Sequence, residues 1–327
     1  MQENRCGNKL GQRWIGRLIS VFLVLTMFLG IMPVSVFAAQ DSDTLSDIPG
    51  ISTIEDQQSD SLSDFYNVED ITTLSDDEAA STTPKNVDGV YQIGTAAELT
   101  WFASAVNDGT AETQNAVLTA NIDLNNVEWK PIGTTRKKYT GTFNGQNNRV
   151  TGLYISTPDL MAGLFGFADT GSKIENLTVA GNISISNFNQ PTKPCMIGGI
   201  VAVSRGDLLN CHNEVNISLT DYACKTLNVG GICGSIGLNG TVNSIVGCTN
   251  VGDISCSVNP GSTDHFAYAG GIAGRLNFNP KVDSCKNTGS VSVALTGFGT
   301  GCAGGITNLS YVNEVDINNC YNTGSVQ

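Results

Sequence analysis

Two short blocks of residues recur in the same order five times along this chain of 327 residues. The first is a small-residue pair followed by an aliphatic residue: Ala162-Gly163-Leu164, Gly198-Gly199-Ile200, Gly230-Gly231-Ile232, Gly270-Gly271-Ile272 and Gly304-Gly305-Ile306. The second small residues, at 163, 199, 231, 271 and 305, are therefore 36, 32, 40 and 34 positions apart. The second block reads Asn176-Leu177-Thr178-Val179, Cys211-His212-Asn213, Cys248-Thr249-Asn250, Cys285-Lys286-Asn287 and Cys320-Tyr321-Asn322. Units this small cannot bury an apolar face alone, so they must stack on one another.

The period inside each unit says how they stack. Ile183-Ser184-Ile185-Ser186, Ile217-Ser218-Leu219, Ile254-Ser255-Cys256-Ser257-Val258 and Val291-Ser292-Val293-Ala294-Leu295 alternate apolar with polar residues. Period two with one apolar face means short strands. Strands repeated in stacked units predict an all-β protein, a parallel β-helix whose equivalent residues sit about 4.8 Å apart along the axis. Columns of the repeat alignment then become physical ladders.

Asn213, Asn250, Asn287 and Asn322 form one such column, expected at a turn, where Asn tolerates left-handed backbone and its amide can bond the rungs above and below. Cys211, Cys248, Cys285 and Cys320 form another, with Leu177 in the same place in the first unit. Leucine in that place marks an inward apolar slot. The chain has two histidines and no Cys-x-x-Cys pair, so the cysteines do not read as a metal site. Parallel side chains on adjacent turns suit disulfides poorly, and buried free thiols are expected. Cys195, Cys224 and Cys302, just ahead of the glycine pairs, are the candidates for pairing if any bridge forms.

The two ends of the chain read differently from the repeats. Residues 1–38 carry Arg5, Lys9, Arg13 and Arg17, an apolar run over 18–31 and a Val36-Phe37-Ala38 end, the pattern of a cleaved secretory signal peptide. Residues 39–85 form an acidic Ser/Thr-rich linker with twelve Asp and Glu between 41 and 78, a composition that predicts disorder. A formal net charge of −13 argues against nucleic acid as a partner, and no later run is long enough to span a bilayer. At the other end, Gly324-Ser325-Val326-Gln327 falls within an alternating strand, so further chain carrying an anchor is expected.

Residues 86–157 lead into the repeats, which occupy 158–327. Thr95-Ala96-Ala97-Glu98 is a capping box, and Leu99, Phe102, Ala103 and Val106 share one helical face before Gly109. A short amphipathic helix capping the open end of the stack is expected there. Strands are expected over 116–124, 140–143 and 149–155.

Tyr91-Gln92-Ile93-Gly94-Thr95-Ala96-Ala97-Glu98-Leu99, Trp129-Lys130-Pro131-Ile132-Gly133 and Phe143-Asn144-Gly145-Gln146-Asn147 resemble the leading segment of bacterial secreted and cell-surface proteins with GLUG-motif repeats. Gly270-Gly271-Ile272-Ala273-Gly274 and Asn250-Val251-Gly252-Asp253-Ile254 resemble the repeats themselves. The similarity covers about residues 90 to 327 and departs at Gly304-Gly305-Ile306-Thr307-Asn308, where the last small residue is replaced. The resemblance implies a right-handed parallel β-helix, broadly pectate-lyase-like, in an extracellular bacterial protein. Such repeats accompany adhesin and peptidase regions alike, so the resemblance does not assign an activity.

Enzymes on this scaffold need paired carboxylates, or a base with calcium-binding acids. The alignment yields no acidic column: Asp253 lines up with Asn182, Asn216 and Ser290, and Glu175 lies only loosely with Asp283 and Asn318. His-Glu-x-x-His and Gly-x-Ser-x-Gly are absent. The basic turn Arg136-Lys137-Lys138 reads as a solvated connection, with anionic glycan as the sharper alternative. Binding is expected instead in the longest unit, whose surplus falls at residues 259–269 and holds Asp264, His265, Phe266 and Tyr268. Two aromatic rings, an acid and an imidazole suit contact with carbohydrate or peptide. The sequence therefore reads as a secreted or surface-exposed module for adhesion or glycan binding, whose partner is a glycan or a host or bacterial surface protein. A polysaccharide lyase or hydrolase, the lyase using calcium, is the alternative, and a structural spacer is a third.

Overall fold

Alternation of inward Ile, Val and Leu with outward Ser, Asn and Thr builds a parallel β-solenoid in the computed structural model, which describes residues 82–157, 159–237, 243–259, 265–278, 280–296, 299–310 and 315–327. The signal peptide and nearly all of the acidic linker expected from the sequence lie outside the described residues, as does Asp264. Everything described belongs to the unit Ile71–Gln327.

Each turn gives one segment to each of four sheets. One turn runs Val201–Ser204, Asp207–Leu209, His212–Thr220 and Ala223–Gly230, and the next repeats it with Cys233–Ile236, Ser244–Val246, Thr249–Asn250 with Ile254–Val258, and His265–Gly270. Among the described residues pairing between turns is parallel throughout the repeats, and the single antiparallel pair is the first, Lys85–Val87 with Val90–Ile93. Two sheets have nine strands and two have five. Side-chain columns follow: Ile183, Ile217, Ile254 and Val291 stack inside, while Ser184, Ser218, Ser255 and Ser292 stack outside.

The glycine pairs and the asparagine column are one device. Asn213, Asn250 and Asn287 are fully buried in strands, and each Nδ2 donates to Oδ1 of the next rung's asparagine at 2.7 Å, ending on Asn322. Each Nδ2 also donates to the carbonyl two residues ahead, as Asn250 does to Gly252 at 2.9 Å. These amides pack directly against the second glycine of each pair. A Cβ on Gly231 would stand 2.3 Å from Cγ of Asn250, and one on Gly271 would stand 2.3 Å from Cγ of Asn287. That contact is why the two blocks travel together in the sequence.

The turn position expected for these asparagines belongs to other residues. Left-handed backbone occurs at Asn176, Asn210, Gly247, Ser284 and Asn319, with φ between +51° and +66°, each directly before the Leu/Cys column. Asn213 and its stacked partners are interior instead, because a ladder of amides is best held where no water competes. Leu177, Cys211, Cys248 and Cys285 are buried as expected, with Cys320 partly exposed on the last rung. None of the nine described cysteines is bridged, Cys195, Cys224 and Cys302 included. Burial pushes the Cys233 and Cys256 thiols up to about 12, which leaves them protonated and poor nucleophiles.

The amino-terminal end is closed by helix α1, Ala96–Asp108. Glu98 N–H donates to Thr95 Oγ1 at 3.2 Å, Thr95 N–H donates to Glu98 Oε2 at 3.0 Å, and Gly109 ends the helix at φ +97°. Leu99, Phe102 and Val106 are fully buried, and Phe102 meets the edges and faces of Tyr139 and Phe143. Thr95→Ala is expected to lower stability by about 1 kcal/mol in urea unfolding, with the denaturant slope unchanged. The strand expected over 116–124 is split into Asn115–Leu118 and Ile122–Asp123, since the chain turns a corner between two sheets there. Among the described residues no helix is long and apolar enough to cross a membrane.

Candidate functional site

The face expected to bind is built on the five-stranded sheet of Met161–Ala162, Asn189–Gly198, Ala223–Gly230, His265–Gly270 and Gly299–Gly304. Sequence spacing placed 265–269 in a surface loop. The structure makes it strand, because His-Phe-Ala-Tyr-Ala alternates large and small about the sheet plane. His265, Ala267 and Ala269 point inward and are buried, while Phe266 is exposed and Tyr268 half-buried.

Alternation therefore divides the expected set of site residues. His265 is 1% exposed, and its Nδ1 lies 2.5 Å from the carbonyl oxygen of Cys224, a contact that requires the proton on Nδ1. It supports the sheet from within and does not face a ligand. Phe266 and Tyr268 stand side by side on the outside, their rings 9° from parallel and their centroids 6.1 Å apart. Strand rise sets that separation, since two residues advance about 6.6 Å.

Parallel register places small or polar neighbours around the rings. Phe266 is flanked by Thr226 and Thr300, and Tyr268 by Asn228 and Cys302. Asn228 is 2% exposed, and its Oδ1 has no hydrogen-bond partner. Buried amide oxygens are normally bonded, and this one is closed off from the surface, so it belongs to the interior of the sheet beside Tyr268. The arrangement offers an aromatic platform with hydroxyl neighbours, suited to stacking and hydrogen bonding more than to acid–base chemistry.

The carboxylates that the repeat alignment brings near one column are not paired. Glu175 and Asp283 do share a column, but Leu209 and Val246 separate them, three rungs or about 14 Å. Glycoside hydrolysis needs two carboxyls within roughly 5–9.5 Å. Asp253 accepts from Ser290 N–H at 2.8 Å and Ser290 Oγ at 2.7 Å, bonds that hold its pKa below the ordinary value. The Lys281 ammonium brings Asp283 down to about 2.

One cluster escaped the sequence reading. On the outer face, Arg149 grips Glu214 with both guanidinium nitrogens, at 3.0 and 2.5 Å, across the intervening rung, and His212 Nε2 lies 3.1 Å from the same carboxylate. Arg149 first, and the coulombic field of the pair after it, keeps Glu214 below its usual pKa. Sixty-five positions separate Arg149 from Glu214, so only the stacking register reveals the contact. The basic turn is likewise tied down: Lys138 pairs with Asp169 at 3.0 Å over the Phe167 ring, and Lys137 lies 3.8 Å from Glu112. A cleft of about 720 Å³ lies between α1 and residues 124–130, lined by Ala97, Thr100, Ser104, Leu124 and Trp129.

No protein-family model matches the chain, and no solved structure matches it. Two curated proteins are similar over part of it. One, named a Gly-rich membrane protein, from Evansella cellulosilytica, is 29% identical over 129 residues, 38% of this chain and 14% of that protein. The other, halomucin of Haloquadratum walsbyi, is 27% identical over 198 residues, 57% of this chain and 2% of that protein. The chain thus spans a small part of the relatives it matches.

Proposed function

We propose that this chain is an extracellular, cell-surface β-solenoid module that binds glycans on the sheet face carrying Phe266 and Tyr268. The parallel ring pair carries this reading: two aromatic rings stand side by side on the outer face of the sheet, and Phe266 is 39% exposed. Pyranose rings present flat C–H faces that aromatic rings cover, while Thr226 and Thr300 beside the rings supply hydroxyl partners. The names of the two relatives, one a membrane protein and one a mucin, fit a surface setting, as does the resemblance to GLUG-repeat proteins.

Affinity electrophoresis through gels containing soluble glycans tests it. Each platform ring contributes about 1.5 kcal/mol or more of apolar contact, so Phe266→Ala and Tyr268→Ala each weaken retention roughly tenfold. Both positions face outward, so the fold should survive. Retention that ignores both substitutions contradicts the proposal.

A further inference from the structure

Cys195 and Cys224, unbridged in the structure, meet on the inner side of the sheet that carries Phe266 and Tyr268. Cys195 lies in Asn189–Gly198 and Cys224 in Ala223–Gly230, strands of adjacent rungs, and both are buried. They are not register mates, since Cys195 pairs with Leu227 and Cys224 with Gln190. An irregularity between Gln190 and Pro194 shifts the first strand against the second. The Cys224 sulfur thereby comes within hydrogen-bonding reach of both the thiol and the backbone N–H of Cys195. Tyr222, whose hydroxyl donates to the Asp159 carbonyl at 2.9 Å, also bonds the Cys195 thiol.

That offset separates this pair from the other cysteines. Side chains stacked directly on successive rungs run parallel and suit a bridge poorly, as in the column Cys211, Cys248, Cys285 and Cys320. Cys302 pairs with Tyr268 and shares its outer side of the sheet. Contact with Cys195 first, and burial second, push the Cys224 thiol far up, so in the folded chain it is protonated and slow to react. Oxidation therefore belongs to assembly, before Ala223–Gly230 closes on Asn189–Gly198.

We infer that Cys195 and Cys224 join as a disulfide when the chain folds in the presence of a small-molecule disulfide, an oxidant suited to an extracellular protein. One cysteine thiolate attacks a sulfur of the oxidant and expels a thiol; the second attacks the protein sulfur of that mixed disulfide and expels the other. Two electrons pass from the cysteines to the oxidant, and the two protons end on the released thiols. Twenty-eight residues lie between the two cysteines, and closing a loop of that length restricts the unfolded chain. The bridge is independent of what the outer face binds.

The test refolds the full chain from urea with reduced and oxidised glutathione, alkylates the remaining thiols under denaturing conditions and maps unreduced peptides by mass spectrometry. The expected result is one dominant linkage, between the peptides of Cys195 and Cys224, with Cys302 and the column cysteines alkylated. Dithiothreitol removes the linkage and lowers the urea midpoint. Cys302→Ala retains it, whereas Cys195→Ala leaves Cys224 alkylated. Chain exported by a host cell and mapped without refolding must show the same linkage, so the wild-type maps decide even if Cys195→Ala folds poorly. Both thiols alkylated in the folded, oxidised chain, or linkages scattered among the other cysteines, overturn the inference.

Discussion

Asn250→Ala destabilises the solenoid by about 3 kcal/mol or more, because it leaves several buried groups unpaired at once. Asn250 Oδ1 accepts from Asn213 at 2.7 Å, and its Nδ2 donates to Asn287 at 2.7 Å and to the Gly252 carbonyl at 2.9 Å. Removing the amide breaks a chain of four residues in the middle and opens a hole in the buried interior. Urea unfolding followed by circular dichroism measures the loss. The exposed Asn182 supplies the contrast, since Asn182→Ala should fall within about 0.5 kcal/mol of wild type. Asn322 is exposed, accepts from Asn287 and donates to the Gly324 carbonyl but to no further asparagine among the described residues, so it should show an intermediate cost. Equal costs at 182 and 250 would remove the ladder from the account of stability.

Gly231→Ala has an effect of similar size through the opposite cause. Its methyl group would stand 2.3 Å from both Asn250 Cγ and the Gly271 carbonyl oxygen, closer than any tolerated contact. One of those atoms is backbone of the next rung, so side-chain rotation cannot relieve the clash. Overpacking of this kind costs about 1–3 kcal/mol, and displacing Asn250 adds the loss of its ladder bonds. Reduced yield of folded protein, with a lowered urea midpoint in whatever folds, is the expected outcome. Because both substitutions strain the same contact, Gly231→Ala combined with Asn250→Ala should cost less than their sum. Simple additivity would contradict the packing of the amide on the glycine.

These two substitutions also show how much of the fold was legible beforehand. Repetition of the glycine pair and the Cys-x-Asn block was enough to imply stacked turns and to align Asn213, Asn250, Asn287 and Asn322 in one column. Which side of the wall that column faced was not legible, since asparagine serves equally at left-handed turns and in interior amide ladders. The true left-handed column passes through Asn176, Asn210, Gly247, Ser284 and Asn319, whose chemical variety hides it from an alignment of identical residues. The capping helix was legible because every signal for it is local.

The candidate site was legible only in part. Phe266 and Tyr268 drew attention as two aromatics in the longest unit, but His265 was grouped with them by adjacency. Strand alternation puts neighbours on opposite sides, and recognising 265–270 as strand requires knowing that it pairs with Ala223–Gly230. The Arg149–Glu214 grip shares this limit: it joins residues on different turns, so the register must be known before the contact can be seen.

Hydrogen–deuterium exchange with and without bound glycan is the most direct test of the central claim, that the sheet face bearing Phe266 and Tyr268 is the binding surface. The account predicts ligand-dependent protection in the strands Ala223–Gly230, His265–Gly270 and Gly299–Gly304, with the Ser184–Ser218–Ser255 face and the cleft beside α1 unchanged. Protection concentrated at that cleft or on the serine face, with no change in those three strands, would contradict it.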